Sequence, residues 1–195
     1  MPAWDLTPVG AILMGISLAA CAGLRAFLPL LTAGIAVRAG WWPVEGWYGW
    51  VGSNEALLVF GIATVAEIMA DKIPVVDHAL DVFYTVARPA AGALVAIGAF
   101  SQLSPTYAVA AGIIVGAPIA GGLHLAKAGT RVASTSLTAG AGNPILSFVE
   151  DLIAFLGVIL AVVAPLVAVL GLTAAVVMLR RWIRARRARQ RANLA

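Results

Sequence analysis

Long apolar stretches, separated by short polar or Gly/Pro-containing segments, dominate the hydrophobic pattern of this chain. A membrane-spanning helix needs roughly 20 mostly apolar residues. The pattern predicts six such helices, over residues 8–23, 55–70, 75–100, 106–127, 144–163 and 165–179. Because no polar loop separates the last two, one long kinked helix over 144–180 is the alternative. The predicted fold class is all-α, a polytopic helical membrane protein with about six transmembrane helices.

Two further segments are predicted not to span the membrane. Residues 26–37 are apolar but short and contain Pro and Gly, whereas 132–143 are rich in Ser, Thr and Gly. They belong to a short internal similarity: Ala22-Gly23, Arg25 and Leu31-Thr32-Ala33-Gly34 reappear 106 positions later. With three helices per copy the second copy would be upside down, so we expect two inverted repeats, 8–103 and 104–180, with paired re-entrant segments. Such repeats are typical of transporters. The alternative is that both segments are ordinary loops.

The composition narrows the class of protein. Of the 195 residues, 62% are hydrophobic and 11% are charged, and the mean hydropathy is +0.96. A soluble domain has about a quarter of its residues charged, so this chain has too few polar groups to cover a water-facing surface. A soluble enzyme and a disordered chain are both excluded. Residues 1–183 are expected to form a single transmembrane domain.

The charges are unevenly distributed along the chain. Seven arginines fall within the last 16 residues, so 184–195 is predicted to be a basic cytoplasmic tail that binds anionic lipid rather than nucleic acid. Residues 40–54 contain four tryptophans, one tyrosine and only one charge, Glu45, as in an aromatic belt at the outer interface. Lys72, Lys127 and Arg131 then lie on the inner side, and the positive-inside rule places both termini in the cytoplasm.

Charged residues within the predicted helices are the main candidates for function, because inserting each costs roughly 2.5–3.5 kcal/mol. Helical spacing puts several on shared faces in the inner half of the membrane, which predicts one polar cluster open to the cytoplasm. The predicted substrate- or ion-binding residues are Arg25, Glu67, Asp81, Arg88, Lys127, Arg131, Glu150 and Asp151, with Asp71, Asp77, Asn143 and Ser147 as secondary candidates.

The residue types in this cluster suggest two kinds of ligand. Carboxylates hold Mg²⁺ or Na⁺, and the basic residues can bind a phosphate or carboxylate group. The helix that begins near Asn143 would add its positive end. The candidate metal ligands are Asp77, Asp81, Glu150 and Asp151.

A purely structural interpretation is that opposite charges pair between helices. The pairs it predicts are Asp81 with Arg88, Glu67 with Arg25, and Glu150 with Lys127. We favour the structural interpretation for Asp71, Lys72 and Asp77 near the interface, and for His78 and His124. We favour a functional one for Arg25, Glu67, Arg88 and Glu150.

Five short motifs are spread over roughly residues 10–165. They are the Gly23-Leu24-Arg25-Ala26-Phe27-Leu28-Pro29-Leu30 segment, Ala70–Asp81, Arg88-Pro89-Ala90-Ala91-Gly92, Lys127-Ala128-Gly129-Thr130-Arg131 and Ser147-Phe148-Val149-Glu150-Asp151. Together these motifs resemble a bacterial membrane family known as domain of unknown function 4126. The departure lies in 134–143, where similar proteins often carry a Ser-Pro-Glu-Pro-like turn. The resemblance implies a multi-pass protein of the bacterial inner (cytoplasmic) membrane and brings no known substrate.

Three functions stay open. The favoured one is a small transporter or channel for an ion or small anionic solute, with Glu67 and Glu150 carrying a cation and Arg25, Arg88 and Arg131 contacting the anion. The second is a membrane-embedded enzyme acting on a lipid phosphate with a divalent metal, although we find no established phosphotransfer motif. The third is a structural or assembly subunit, which predicts tolerance of Glu67→Gln. The expected partners are the bilayer, a small ionic solute or lipid phosphate, and further copies of the chain in a homo-oligomer.

Overall fold

The computed structural model describes residues 8–44, 46–72 and 74–163 together with twelve positions between 167 and 184, and for residues 8, 9, 11, 74–79 and 81 it describes the backbone alone. This part of the chain is helical and contains no strand. In chain order its elements are α1 (Pro8–Leu24), α2 (Phe27–Arg38), a 3₁₀ helix (Gly46–Gly52), α3 (Asn54–Ala70), α4 (Pro74–Ala99), α5 (Pro105–Ala111), a π-helical turn (Gly112–Gly116), α6 (Ala117–Thr138) and α7 (Asn143–Val163).

Helix α1 lies at the centre of the bundle and packs against α4, α6 and α7, while α2 packs against α3. Leu18, Ala19, Cys21 and Ala22 on α1 are completely buried. Mostly small side chains on this helix let its neighbours approach closely, as is usual for helices that associate in membranes.

Glycines bring α4 and α6 into direct backbone contact. A Cβ added to Gly92 of α4 would lie 2.4 Å from the Cβ of Ala120 and 2.7 Å from the carbonyl oxygen of Gly116. A Cβ added to Gly23, near the end of α1, would lie equally close to Ala120, at 2.4 Å from its carbonyl oxygen. Three helices therefore meet around Ala120, and this contact fixes their separation.

The distribution of polar and apolar side chains is the reverse of that in a soluble protein. Val82, Ile114 and Leu125 are 79%, 71% and 69% exposed, whereas Arg25 and Arg88 are 1% and 2% exposed. Apolar side chains outside and charges inside suit a hydrocarbon solvent, in which an unpaired charge is costly. The chain is thus built as a helical membrane protein.

Three helical stretches in the described part of the chain are long and apolar enough to cross a membrane: Val82–Ala99, Pro105–Thr138 and Asn143–Val163. A fourth results if Gly46–Gly52 and Asn54–Ala70, which meet at a bend of 54°, count as one broken span. The apolar helices Ile12–Leu24 and Phe27–Arg38 are shorter. These findings confirm the all-α membrane class, while the number of six remains a prediction. Seven of the 15 positions of the predicted sixth helix, 165–179, lie outside the described residues, as do Glu45 and the tail from 185.

The two segments predicted to be re-entrant or loops, 26–37 and 132–143, are largely helical. Residues 27–38 form α2, and α5, the π turn and α6 run on as one helix to Thr138, eleven residues past the predicted end at 127. The hydroxyl groups of Ser136 and Thr138 donate to the carbonyl oxygens of Val132 and Ser134, one turn earlier, so these polar side chains are satisfied within the helix. The true turn is short: Ala139 and Gly140 have φ of 50° and 88°, the left-handed conformation that ends many helices.

Prolines affect the two long helices differently. Helix α4 continues through Pro89 as one helical element. In the other helix the π turn Gly112–Gly116 directly precedes Pro118. Proline offers no N–H to the preceding turn, and a π turn is a common accommodation of such a distortion.

The two segments of the internal similarity have different local structures. Residues 22–24 end α1, and a break at Arg25 and Ala26 precedes α2, whereas 128–131 lie inside α6. The inverted repeat therefore stays a prediction from the sequence.

The aromatic segment 40–52 is only partly a surface feature. Trp41, Trp47 and Trp50 are exposed, but Trp42 and Tyr48 are buried. The Tyr48 hydroxyl donates to the carbonyl oxygen of Leu94 in α4 at 2.9 Å. This segment is thus anchored in the bundle by two of its five aromatic rings.

Candidate functional site

A break between α1 and α2 creates the first part of the site. The break leaves the N–H groups of Ala26 and Phe27 without partners in a preceding helical turn. The Glu67 carboxylate, reaching over from α3, accepts hydrogen bonds from both, at 3.0 and 3.3 Å. A negative charge at this helix N-terminus is also favoured by the helix dipole. Glu67 therefore fixes where α2 begins.

Asp71, which caps the C-terminal end of α3, is the central carboxylate of the site. One of its oxygens, Oδ2, bonds three cations: Arg25 Nη1 at 2.7 Å, Lys127 Nζ at 3.0 Å and Arg131 Nη2 at 3.1 Å. Its side chain is completely buried. These four residues, the Asp71 cluster, join the end of α1, the end of α3 and the middle of α6.

Helix α7 closes the Asp71 cluster with two further carboxylates. Glu150 Oε2 accepts from Lys127 Nζ at 3.2 Å and from Arg131 Nη2 at 3.3 Å. Asp151 bonds Arg25 through Oδ1 and Lys72 through Oδ2, the latter at 2.6 Å. The Lys72 ammonium also donates to the Ser147 hydroxyl at 3.2 Å. Because Ser147, Glu150 and Asp151 lie within about one helical turn, α7 presents all three to this cluster.

Arg88 of α4 forms a second branch. Its Nη1 lies 2.6 Å from Nδ1 of His124, and since a guanidinium can only donate, Nδ1 must be the acceptor of a neutral imidazole protonated at Nε2. His124 Nε2 then faces the Thr85 hydroxyl at 3.4 Å. Arg88 Nη2 is 3.5 Å from Glu67 Oε1, and its guanidinium carbon lies 4.7 Å from the centroid of the Tyr84 ring. The pairing with Glu67 and the ring contact both stabilise the buried charge.

Three polar atoms of these buried residues lack a hydrogen-bond partner among the described residues: Arg25 Nε, Arg88 Nε and Asp71 Oδ1. Buried polar atoms are almost always satisfied by protein, water or a ligand. The site is thus not a set of saturated ion pairs.

The structure brings most of the predicted site residues together. The members of this network are Arg25, Glu67, Asp71, Arg88, Lys127, Arg131, Ser147, Glu150 and Asp151. Asn143 is not among them, because its amide donates to the Thr135 hydroxyl at 3.0 Å beside the α6–α7 turn. The side chains of Asp77, Asp81 and His78 lie outside the described residues.

The predicted pairings and rankings need three corrections. The Glu150–Lys127 pair forms as predicted, but the Glu67 carboxylate pairs with Arg88, while Arg25 bonds the Glu67 backbone carbonyl at 3.3 Å. Asp71, ranked as a secondary candidate near the interface, bonds three cations, more than any other described carboxylate of the site. Lys72 joins the network at its exposed edge. Lys72 and His124 belong to the network although neither was a predicted site residue. The sequence signals that point to them are the adjacency of Lys72 to Asp71 and the helical spacing of His124 from Lys127.

The described residues of the site give no support to the metal-ligand prediction. Glu150 and Asp151 bond different cations, and no three His, Cys, Asp or Glu side chains among the described residues come together as a ligand set. Asp77 and Asp81, the other two predicted ligands, fall outside that part.

Comparison with known proteins gives one match. No curated protein and no solved structure matches the chain. One family model does, described as Domain of unknown function (DUF4126), and it covers residues 12–185. That range includes every residue of the buried network and nearly all of the chain. The resemblance predicted from the motifs is therefore confirmed, and the chain belongs to the DUF4126 family.

Proposed function

We propose that this protein is a small transporter or channel that moves an ion or small anionic solute across the membrane by way of its buried charges. The observation that carries the proposal is the Asp71 cluster, in which three cations from two helices converge on one carboxylate oxygen inside an apolar bundle. Intramembrane charges of this kind commonly mark ion and substrate pathways.

Stability alone does not require such a network. Replacing a buried ion pair with apolar residues of similar volume is often neutral or stabilising. Apolar packing around α1 and the glycine contacts between α4 and α6 already hold the helices together. The charges therefore point to a ligand that is itself charged.

The contacts of the residues suggest how the roles are divided. Arg25, Lys127 and Arg131 are the proposed anion contacts, because they already bind carboxylates. Glu150 is the better candidate for carrying a coupling cation, since both Glu67 oxygens are used by backbone N–H groups. Arg88, tied to His124 and Glu67, would support the site from α4.

The proposed setting is the bacterial inner membrane, with six spans and both termini in the cytoplasm. The network would open to the cytoplasm near Lys72, whose side chain is 43% exposed. The arginine tail, 184–195, would bind anionic lipid at the cytoplasmic surface.

Flux through proteoliposomes tests the proposal. The full chain would be reconstituted into liposomes. Separate batches of these proteoliposomes would be loaded with radiolabelled phosphate, with radiolabelled acetate or with a chloride-sensitive dye. We expect flux of at least one anion above protein-free liposomes, reduced at least tenfold in Lys127→Met because the cation that bridges Asp71 and Glu150 is lost. Arg38→Gln is the matched control, because Arg38 is exposed and bonds only the Asn54 amide among described side chains.

Other outcomes would redirect the assignment. Background flux of every probe, with wild type shown to be folded, contradicts the transporter and leaves the structural role. Turnover of a lipid phosphate in detergent without a gradient would instead support the membrane-embedded enzyme.

A further inference from the structure

We infer that Asp71 is a tethered anion occupying a binding site for a small oxyanion, a carboxylate or phosphate group, which displaces it. The inference rests on the proposed function and names the chemistry of its ligand. In the state described here the Asp71 carboxylate fills the position that the ligand's oxygens would take between Arg25, Lys127 and Arg131.

The arrangement of donors supports this assignment. Two guanidinium groups and one ammonium group lie within 3.1 Å of a single oxygen. Charge-assisted bonds from arginine and lysine are the usual means by which proteins hold carboxylates and phosphates. A single carboxylate uses only one of its two oxygens here, so the donor set is larger than Asp71 needs.

The unpartnered atoms are an independent observation. Asp71 Oδ1 and Arg25 Nε are buried and have no hydrogen-bond partner in the described part of the protein. Arg25 is 1% exposed, and its Nε lies on the same guanidinium that bonds Asp71. An oxyanion with two or more acceptor oxygens could accept from donors that Asp71 leaves unused.

Displacement is favoured over simple addition. Glu150 shares Lys127 and Arg131 with Asp71, so a further anion beside both carboxylates would meet repulsion from each. Asp71 lies just past the end of α3, and so can withdraw without moving a helix interior. Asp151 bonds both Arg25 and Lys72, and since Asp151 and Lys72 are partly exposed, this pair leads from the site to the surface.

Anion binding by an Asp71→Asn variant tests the inference. The purified full chain in detergent would be titrated with inorganic phosphate, acetate and short-chain phosphatidic acid at constant pH and ionic strength, following tryptophan fluorescence and thermal unfolding. We expect a Kd at least tenfold lower in Asp71→Asn than in wild type for at least one of them. Glu55→Gln, an exposed carboxylate on the same helix, should bind like wild type.

The arms of the titration identify the source of the anion. Binding of phosphatidic acid alone would indicate a lipid headgroup, and binding of phosphate or acetate a free solute. Equal affinities in Asp71→Asn and Glu55→Gln, or no saturable binding in either, would overturn the inference.

If Asp71→Asn aggregates in every buffer, wild type and Arg131→Gln provide the comparison. Saturable binding by wild type that weakens at least tenfold in Arg131→Gln supports the site, and its absence in wild type overturns it. Binding without flux in proteoliposomes would leave this inference standing while contradicting the transporter, so the two proposals fail separately.

Discussion

Glu67 bonds backbone N–H groups with both of its oxygens, whereas Asp71 and Glu150 bond side-chain cations. Carboxylates therefore have two different roles within one network. Glu67 positions the start of α2, and with it the break that carries Arg25. Asp71 and Glu150 neutralise cations that a ligand could also contact. A substitution at Glu67 consequently tests structure, and one at Asp71 tests binding.

The first prediction concerns Glu67→Gln. The amide retains one acceptor oxygen but places an NH₂ group against donors, so we expect the unfolding free energy to fall by about 1–3 kcal/mol. SDS-induced unfolding followed by tryptophan fluorescence would measure it. Exposed Glu55→Gln should change stability by less than about 0.5 kcal/mol. Full stability of Glu67→Gln would contradict the capping role. The sequence analysis attached tolerance of this change to a structural role for the protein, whereas the capping contacts of Glu67 predict a loss of stability.

At the scale of elements, close helix contacts depend on which glycines face a neighbour. Gly92 of α4 and Gly116 of the π turn face each other. A Cβ added to either glycine would lie less than 3 Å from the carbonyl oxygen of the other. Gly122, on the same long helix, has nothing within 4 Å of such a Cβ. Because glycine occurs at both kinds of position, the sequence does not distinguish them.

The second prediction compares Gly92→Ala with Gly122→Ala. The first forces backbone apart at Ala120 and Gly116 and should cost about 1–3 kcal/mol, as overpacking usually does. The second meets open space, so the higher helix propensity of alanine should leave stability unchanged or raise it by up to about 1 kcal/mol. Unfolding of the two variants in the same detergent gives the comparison. Equal effects would show that the α4–α6 contact does not limit the packing.

The whole molecule places its charges inside and its apolar side chains outside, with the Asp71 cluster near one end of α1, α3 and α7. Which end faces the cytoplasm follows from the positive-inside rule alone. Trp41, in the aromatic segment, and Ala141, in the α6–α7 turn, are exposed and are predicted to lie on opposite sides of the membrane. They offer a direct test of orientation.

The third prediction uses single cysteines in a Cys21→Ala background, because Cys21 is the only cysteine in the chain. An impermeant maleimide should label Trp41→Cys in intact cells, and Ala141→Cys only after permeabilisation. The reverse pattern would invert the proposed orientation, and labelling of both from outside would place the two segments on one side.

Much of the architecture follows from local rules that the sequence carries. Apolar length predicts the helices that begin near 8, 54, 74, 105 and 143, and the cost of intramembrane charge predicts that Arg25, Glu67, Arg88, Lys127 and Glu150 cluster. The motifs also identify the family. Each of these conclusions depends on composition within a segment, which a linear pattern records directly.

The tertiary structure decided which partners meet. Residues 25, 71, 127 and 131 come together only because three helices cross at one level, and no spacing along the chain specifies that crossing. The helical state of α2 and of 132–138 depends likewise on Glu67 supplying a cap and on hydroxyls bonding the preceding turn. Sequence alone therefore determined that charges would be buried in a helical membrane protein, and the packing of distant helices determined that Asp71 would be their common partner.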